Sequence, residues 1–248
     1  ADDLGYGDIS CYHPKGVKTP HLDALAAEGF RSTDFFVPAN VCSPSRAALL
    51  TGRYPMRCGM PVARNHAVAK YKNYGLAAEE ITIPELLSLP VTFDEHLGIP
   101  GNYAKARGPN HNTLYRGRKV EAKNVPFEEL TRRYTDEVVA FIERQKDEPF
   151  FIYFSHHIPH TPILPSEEFL GESRKGKYGD VIKELDHSTG RIMKAIRDAG
   201  LDDNTLVVFT SDNGPTRAGS TGGLNGGKYC TMEGGHRVPG MFRWHGTI

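Results

Sequence analysis

The chain has 248 residues, and its 30 lysines and arginines balance 30 aspartates and glutamates, so the formal net charge is zero. That balance argues against a protein that binds duplex nucleic acid, because such proteins carry a basic surplus. With 39% hydrophobic and 24% charged residues and no run of about 18 apolar residues, the composition indicates a globular protein without a membrane span.

Helices and strands are predicted in alternation along the chain. The first helix begins at Thr19-Pro20 and stops at Gly29, and the second begins at Ser43-Pro44 and stops at Gly52. The later elements are a helix from Thr82 to residue 89, an amphipathic helix at 126–146, a strand at 150–154, a helix at 179–199 and a strand at 206–209. Both predicted strands are short apolar runs, which is typical of strands buried on two faces. We therefore expect an α/β fold with a mostly parallel central sheet flanked by helices.

Polar side chains follow each predicted strand, at the edge of a parallel sheet where ligands collect. Asp212 and Asn213 follow the strand at 206–209, and Asp2 and Asp3 would end a strand at the chain start. Their oxygens suit Ca²⁺ or Mg²⁺. The alternative is that both pairs are turn and capping residues. Adjacent strand residues also point to opposite faces, so Asp2 and Asp3 can reach one ion only if the strand has ended.

Cys42 stands at the start of the second predicted helix, where the helix dipole favours negative charge. One interpretation is an activated nucleophile, with Arg46 one turn later holding an anionic substrate. The other is a buried structural cysteine beside a surface arginine. The four cysteines show no C-x-x-C spacing, so a zinc ribbon or a thioredoxin-type site is not expected.

The string Cys42-Ser43-Pro44-Ser45-Arg46, followed by Leu50-Thr51-Gly52-Arg53, resembles the signature of type I sulfatases, the arylsulfatase A-like and N-acetylgalactosamine-6-sulfatase-like members of the alkaline phosphatase superfamily. Other blocks resemble the same family, namely residues 1–8, 19–23, 155–162, 178–180, 209–215, 226–228 and 233–239. The resemblance therefore runs along nearly the whole chain. It implies an alkaline phosphatase-like sulfatase core.

The resemblance also implies roles for individual residues. Cys42 would be oxidised to formylglycine, whose hydrate is the nucleophile, and one Ca²⁺ would be bound by that residue together with Asp2, Asp3, Asp212 and Asn213. The catalytic set it implies is Cys42, Arg46, His157, Lys228 and Asp212, with Arg46 and Lys228 on the sulfate and His157 protonating the departing alcohol. His160 could face the substrate. For His156 and His160 the alternative of packing or loop hydrogen bonding stays open.

The implied activity is hydrolysis of sulfate monoesters on a sulfated sugar of a glycan. The implied partners are that sulfated carbohydrate and a formylglycine-generating or anaerobic maturase enzyme for Cys42, with no nucleic acid. Location would be periplasmic or secreted in a bacterium, which the absence of an Asn-x-Ser/Thr sequon favours, or lysosomal in a eukaryote. The alternatives are a phosphonate or phosphate monoester hydrolase of the same superfamily and an inactive relative that only binds sulfated glycans.

One block departs from the family pattern. A Gly-Lys-Trp-His segment normally follows the helix at 82–89, but here Leu89 leads directly into Pro90 and the only tryptophan is Trp244. That helix is short and lacks the usual stop residues, so we expect a gap in the chain between Leu89 and Pro90. Residues 1–248 are expected to form a single catalytic domain, cut at both ends, with the family's C-terminal subdomain largely absent.

Overall fold

A computed structural model of the chain describes residues 1–60, 75–77, 79–87, 97–98 and 113–248. The helices are α1 (Pro20–Ala27), α2 (Cys42–Thr51), α3 (Ile83–Leu86), α4 (Leu130–Gln145), α5 (Gly176–Asp198) and α6 (Glu233–His236). The strands are β1 (Phe30–Ser32), β2 (Leu97–Gly98), β3 (Leu114–Arg116), β4 (Lys119–Ala122), β5 (Val207–Thr210) and β6 (Gly240–Arg243). In the part of the chain given by these ranges, no helix combines the length and apolar character needed to cross a bilayer.

The α/β class is confirmed, but the strand directions differ from the expected mostly parallel sheet. The described strands form two three-stranded sheets, in the orders β1-β6-β5 and β2-β3-β4, and every pairing within them is antiparallel. The difference arises from β6, a short strand that begins with a glycine and was not predicted. It lies between β1 and β5 and runs antiparallel to both.

The apolar run at 150–154 was predicted as a buried strand, and this is wrong in the described structure. Each of its residues is half-buried, and none is assigned to a strand. Phe150 and Ile152 pack against the main core, whereas Phe154 packs against a second cluster around Leu114 and Leu130. The run therefore bridges two cores instead of lying inside one sheet. The second run does form a strand, β5, but its Val208 is 45% exposed.

Parallel pairing occurs at the start of the chain, where it positions the site described below. The Ala1 nitrogen donates to the Thr210 carbonyl at 2.7 Å, and the Asp212 N–H donates to the Ala1 carbonyl at 3.3 Å. Bonds from one residue to two partners two positions apart are the pattern of parallel strands. The Asp2 N–H donates to the Ile158 carbonyl at 3.1 Å. The first residues of the chain therefore lie between two segments: the one that ends β5 and the one that follows the 150–154 run.

Helices α1, α4 and α5 enclose the main core with β6. Their buried side chains include Leu22 and Leu25 of α1, Ile142 of α4 and Leu185 of α5, which join Met241 of β6 in one cluster. The apolar periodicity of the sequence predicted these helices, and the structure confirms α1, α2, α4 and α5 to within a few residues. The expected break between Leu89 and Pro90 lies outside the described residues.

A carboxylate from α5 caps α1. Thr19 makes no side-chain cap bond at the start of α1. Instead, the His21 and Leu22 N–H groups donate to the Asp186 carboxylate at 3.3 and 2.8 Å. Because the first N–H groups of a helix have no partner within it, this contact fixes α1 against α5.

Candidate active site

Four polar residues, two from the start of the chain and two from the segment after β5, meet where the predicted strand ends were expected to converge. The Asp3 N–H donates to Asp212 Oδ1 at 3.1 Å, and Asn213 Nδ2 donates to Asp3 Oδ1 at 2.7 Å. Asp2, Asp3, Asp212 and Asn213 are all buried. Asp3 has φ of +66°, so the extended backbone has ended there and both aspartates can face the same centre. We call these four residues the acidic cluster.

Helix α2 positions Cys42 and Arg46 next to this cluster. Cys42 is the first residue of α2 and Arg46 is one turn later, so the two side chains share a face of the helix. Arg46 Nε and Nη2 each lie 2.7 Å from Asp212 Oδ2, and Nη2 lies 3.1 Å from Asp2 Oδ2. Arg46 Nη1 also donates to the Ser155 hydroxyl. This contact between Arg46 and Ser155 is not predicted from the sequence. The signal available for it was the position of Ser155 directly after the 150–154 run.

The Cys42 thiol is not an activated thiolate. Burial raises its pKa, and the carboxylates of Asp2 and Asp212 raise it further against the opposing charges of Lys228 and Arg46. The expected activation by the helix N-terminus is thus outweighed by desolvation and by the carboxylates. An unmodified Cys42 is therefore a poor nucleophile in this setting.

Lys228 approaches the cluster from a turn near the end of the chain. Its Nζ lies 2.6 Å from Asp3 Oδ1, and the two side chains are only 3% and 2% exposed. Burial opposes the charge of Lys228, but the ion pair with Asp3 leaves its pKa raised above the ordinary value. Two cations, Lys228 and Arg46, therefore border the acidic cluster and Cys42.

The acidic cluster fits a hard divalent cation. Among the described residues, Asp2 Oδ1, Asp3 Oδ2 and Asn213 Oδ1 are buried oxygens without a hydrogen-bond partner. Burying such acceptors without a partner is costly, and a cation bound by oxygen ligands would satisfy them. His160 lies at the same place, with Nε2 3.8 Å from Asp3 Oδ2. Burial, followed by the charge of Asp212, raises the pKa of Asp2 well above 3.8, as expected for carboxylates crowded together.

The three histidines after Ser155 have different surroundings. His157 is buried with its ring edge-to-face on Tyr134, at 5.9 Å between centroids, and burial together with His160 lowers its pKa to about 4. His160 Nδ1 lies 2.6 Å from the Thr161 carbonyl oxygen while its other nitrogen faces Asp3. At neutral pH the His157 ring is uncharged.

His156 points away from the cluster into the helix pair. Its Nε2 lies 3.0 Å from the Ser188 hydroxyl of α5, which lies 2.6 Å from the Thr135 hydroxyl of α4. Thr135 in turn donates to the Thr131 carbonyl at 2.6 Å. Burial lowers the pKa of His156 well below 6.5. Of the two interpretations left open for His156, this geometry favours the packing role.

Comparison with known proteins gives a consistent match. The family model described as Sulfatase matches residues 1–248. Human arylsulfatase A is 38% identical over 301 aligned positions, 53 more than the 248 residues of this chain, and human N-acetylgalactosamine-6-sulfatase is 36% identical. Both alignments cover all of this chain but only 58% and 56% of those proteins, so the chain spans little more than half the length of these curated relatives.

Solved structures agree with the sequence comparison. Ps i-CgsB, crystallised in complex with k-i-k-neocarrahexaose, superposes with a TM-score of 0.84 at 28% identity, covering 100% of this chain and 65% of its own. The PsFucS1 sulfatase from Pseudoalteromonas sp. gives a TM-score of 0.80 at 29% identity, covering 100% of this chain and 61% of its own.

Proposed function

The chain belongs to the sulfatase family, and from that premise we propose that it hydrolyses sulfate monoesters at the site formed by Cys42, Arg46, Lys228 and the acidic cluster. The observation that carries the proposal is the pair of cations, Arg46 and Lys228, which buried carboxylates hold close enough to Cys42 for both charges to act on its thiol. A sulfate ester presents negative oxygens to any attacking group, so fixed positive charge must compensate them.

Asp2, Asp3, Asp212 and Asn213 would hold Ca²⁺, which supplies further positive charge to the sulfate oxygens when bound. Formylglycine made from Cys42 would supply the nucleophilic hydroxyl. The raised pKa of the unmodified thiol supports the need for such a modification. Arg46, fixed by Asp2, Asp212 and Ser155, would orient the nucleophile and the sulfate without rearranging.

His157 would donate the proton that the leaving alcohol requires. Its pKa of about 4 leaves it neutral in the absence of substrate. The negative charge of a bound sulfate opposes the effect of burial and raises the pKa of the ring toward the range in which it serves as an acid. His160, which faces Asp3, would contribute to the cation-binding end of the site.

We propose a sulfated sugar as the substrate. The relatives named N-acetylgalactosamine-6-sulfatase, and Ps i-CgsB with its bound neocarrahexaose, act on or bind carbohydrate. The proposal further includes a formylglycine-generating or anaerobic maturase as the partner that modifies Cys42, and a periplasmic, secreted or lysosomal location.

The test compares the protein produced with and without a co-expressed formylglycine-generating enzyme. We expect the matured protein to hydrolyse 4-nitrophenyl sulfate with a kcat/KM more than about tenfold above that for 4-nitrophenyl phosphate. Cys42→Ala should abolish turnover, while Cys11→Ala, which removes another half-buried cysteine outside the site, should not. Preference for the phosphate ester would favour the phosphatase alternative. Sugar sulfate binding without turnover, despite a modified residue 42 in the peptide mass, would favour the binding-only alternative.

A further inference from the structure

Tyr229 places an exposed aromatic ring beside Lys228, one of the two cations of the site. Its side chain is 60% exposed, whereas the adjacent Lys228 side chain is 3% exposed. Lys228 Nζ lies 5.5 Å from the centre of the Tyr229 ring. The Tyr229 N–H donates to the Asn40 carbonyl at 3.0 Å, two residues before Cys42. The ring thus lies against the buried Lys228 ammonium and is open to solvent, and its backbone is tied to the segment that leads into Cys42.

The backbone conformation at Tyr229 is one that glycine adopts more readily than tyrosine does. Residues 227–230 form a tight turn in which the Cys230 N–H donates to the Gly227 carbonyl at 2.9 Å, and Tyr229, the third residue of the turn, has φ of +70°. That position favours glycine, because a side chain there strains the backbone. The same loop has glycine at its other positive-φ positions, Gly222, Gly223 and Gly226. A bulky residue held against local preference is a sign that its side chain has a role.

We propose that Tyr229 is a substrate-contact residue whose ring packs against the sugar that carries the sulfate ester; this inference rests on the proposed function. Because Lys228 is buried and the adjacent Tyr229 is exposed, a sugar attached to a sulfate at Lys228 and Arg46 would extend toward solvent, as the Tyr229 ring does. The C–H face of a sugar is apolar and flat enough to cover an aromatic ring, and such contacts give polar ligands orientation and affinity. Tyr229 would therefore contribute to selection of sugar sulfates over inorganic sulfate.

The experiment measures binding to the Ca²⁺-loaded protein with unmodified Cys42, so that no turnover intervenes. Calorimetric titrations use N-acetylgalactosamine 6-sulfate, glucosamine 6-sulfate, fucose sulfate and sodium sulfate as probes. For the sugar sulfate that binds the wild type most tightly, we expect Tyr229→Gly to raise the dissociation constant about tenfold, the usual scale for loss of one aromatic contact. Binding of sodium sulfate should change less than about twofold, because Lys228 remains in place. Tyr229→Phe, which keeps the ring, should retain sugar affinity, and Tyr54→Ala, which removes another exposed tyrosine ring, serves as the control.

The melting temperature separates a binding role from a structural one. Tyr229→Gly should unfold at the same or a higher temperature than the wild type, because glycine relieves the positive φ. The inference is overturned if Tyr229→Gly leaves the dissociation constants of the sugar sulfates unchanged, or if it weakens the binding of sodium sulfate by the same factor. It is also overturned if no sugar sulfate binds the wild type more tightly than sodium sulfate does. Because these readouts are dissociation constants, absence of turnover by the matured protein would count against the proposed function without deciding this one.

Discussion

Removing the charge of Lys228 should destabilise the protein strongly when the acidic cluster has no cation to replace it. Lys228→Met keeps most of the side-chain volume but leaves the Asp3 carboxylate, 2% exposed, without its ion pair at 2.6 Å. Breaking a buried pair on one side typically costs about 3–5 kcal/mol. We expect a loss of that size in the free energy of unfolding, measured by urea titration in EDTA.

Calcium should reverse part of this loss. Binding at about 100 times Kd stabilises a folded protein by about 2.7 kcal/mol. The variant should gain more than the wild type does, because Lys228 no longer repels a cation beside Asp3. The difference between the two proteins should therefore shrink in saturating Ca²⁺.

A double variant provides the control for this prediction. Lys228→Met combined with Asp3→Asn removes both charges, so in EDTA its stability should return to within about 1 kcal/mol of the wild type. The double variant should also lose most of its response to Ca²⁺, because one proposed ligand is gone. If the loss in Lys228→Met is the same in EDTA and in Ca²⁺, the assignment of the acidic cluster as a cation site is wrong.

Three further predictions concern stability and the chain itself. Because the folded state keeps His157 neutral with a pKa of about 4, while an unfolded histidine titrates near 6.5, stability should fall as the pH drops between these values. Urea titrations from pH 7 to 4 should show a loss about 3 kcal/mol smaller in His157→Asn than in the wild type; equal losses would contradict the burial of a neutral ring. Asp186→Ala should cost about 1–2 kcal/mol by removing the cap of α1, and Asp186→Asn, which keeps one acceptor oxygen, should cost less in the same titration. Peptide mapping of the natural protein should find additional residues between Leu89 and Pro90, including a lysine and a histidine, whereas one uninterrupted peptide would establish a true deletion.

The part of the site that depends on local sequence was predictable. Cys42 and Arg46 lie four residues apart in a helix whose start and stop are readable, so their shared face follows from helix geometry alone. The meeting of Asp2 with Asp212 followed from a more general rule, that polar residues after neighbouring strands collect at one edge. That rule succeeded even though, among the described residues, the strands of both sheets pair antiparallel and parallel contacts are confined to isolated positions such as Ala1.

Long-range pairing was not predictable from the sequence. Strand β6 pairs with β1 across about two hundred residues, and nothing in Gly240–Arg243 indicates that partner. The apolar run at 150–154 has the composition of a strand, but whether such a run enters a sheet depends on which segments flank it in space. The positive φ of Tyr229 was hidden for the same reason, because the turn is defined by contacts with Asn40 and the rest of the loop. That residues 1–248 form a single catalytic domain stays a prediction.

The hydrogen-bond chain behind His156 also fixes the position of a proton. Thr135 has one hydroxyl hydrogen and gives it to the Thr131 carbonyl, so the short contact with Ser188 requires Ser188 to be the donor there. The Ser188 oxygen must then accept from His156, which makes the Nε2–H form the only tautomer consistent with all three contacts. A backbone carbonyl in α4 thereby dictates, through two hydroxyl groups, the polarity of an imidazole next to His157. Ser188→Ala would remove the acceptor, so that His156 could adopt either neutral tautomer, a change that ¹⁵N chemical shifts of the ring nitrogens would record directly.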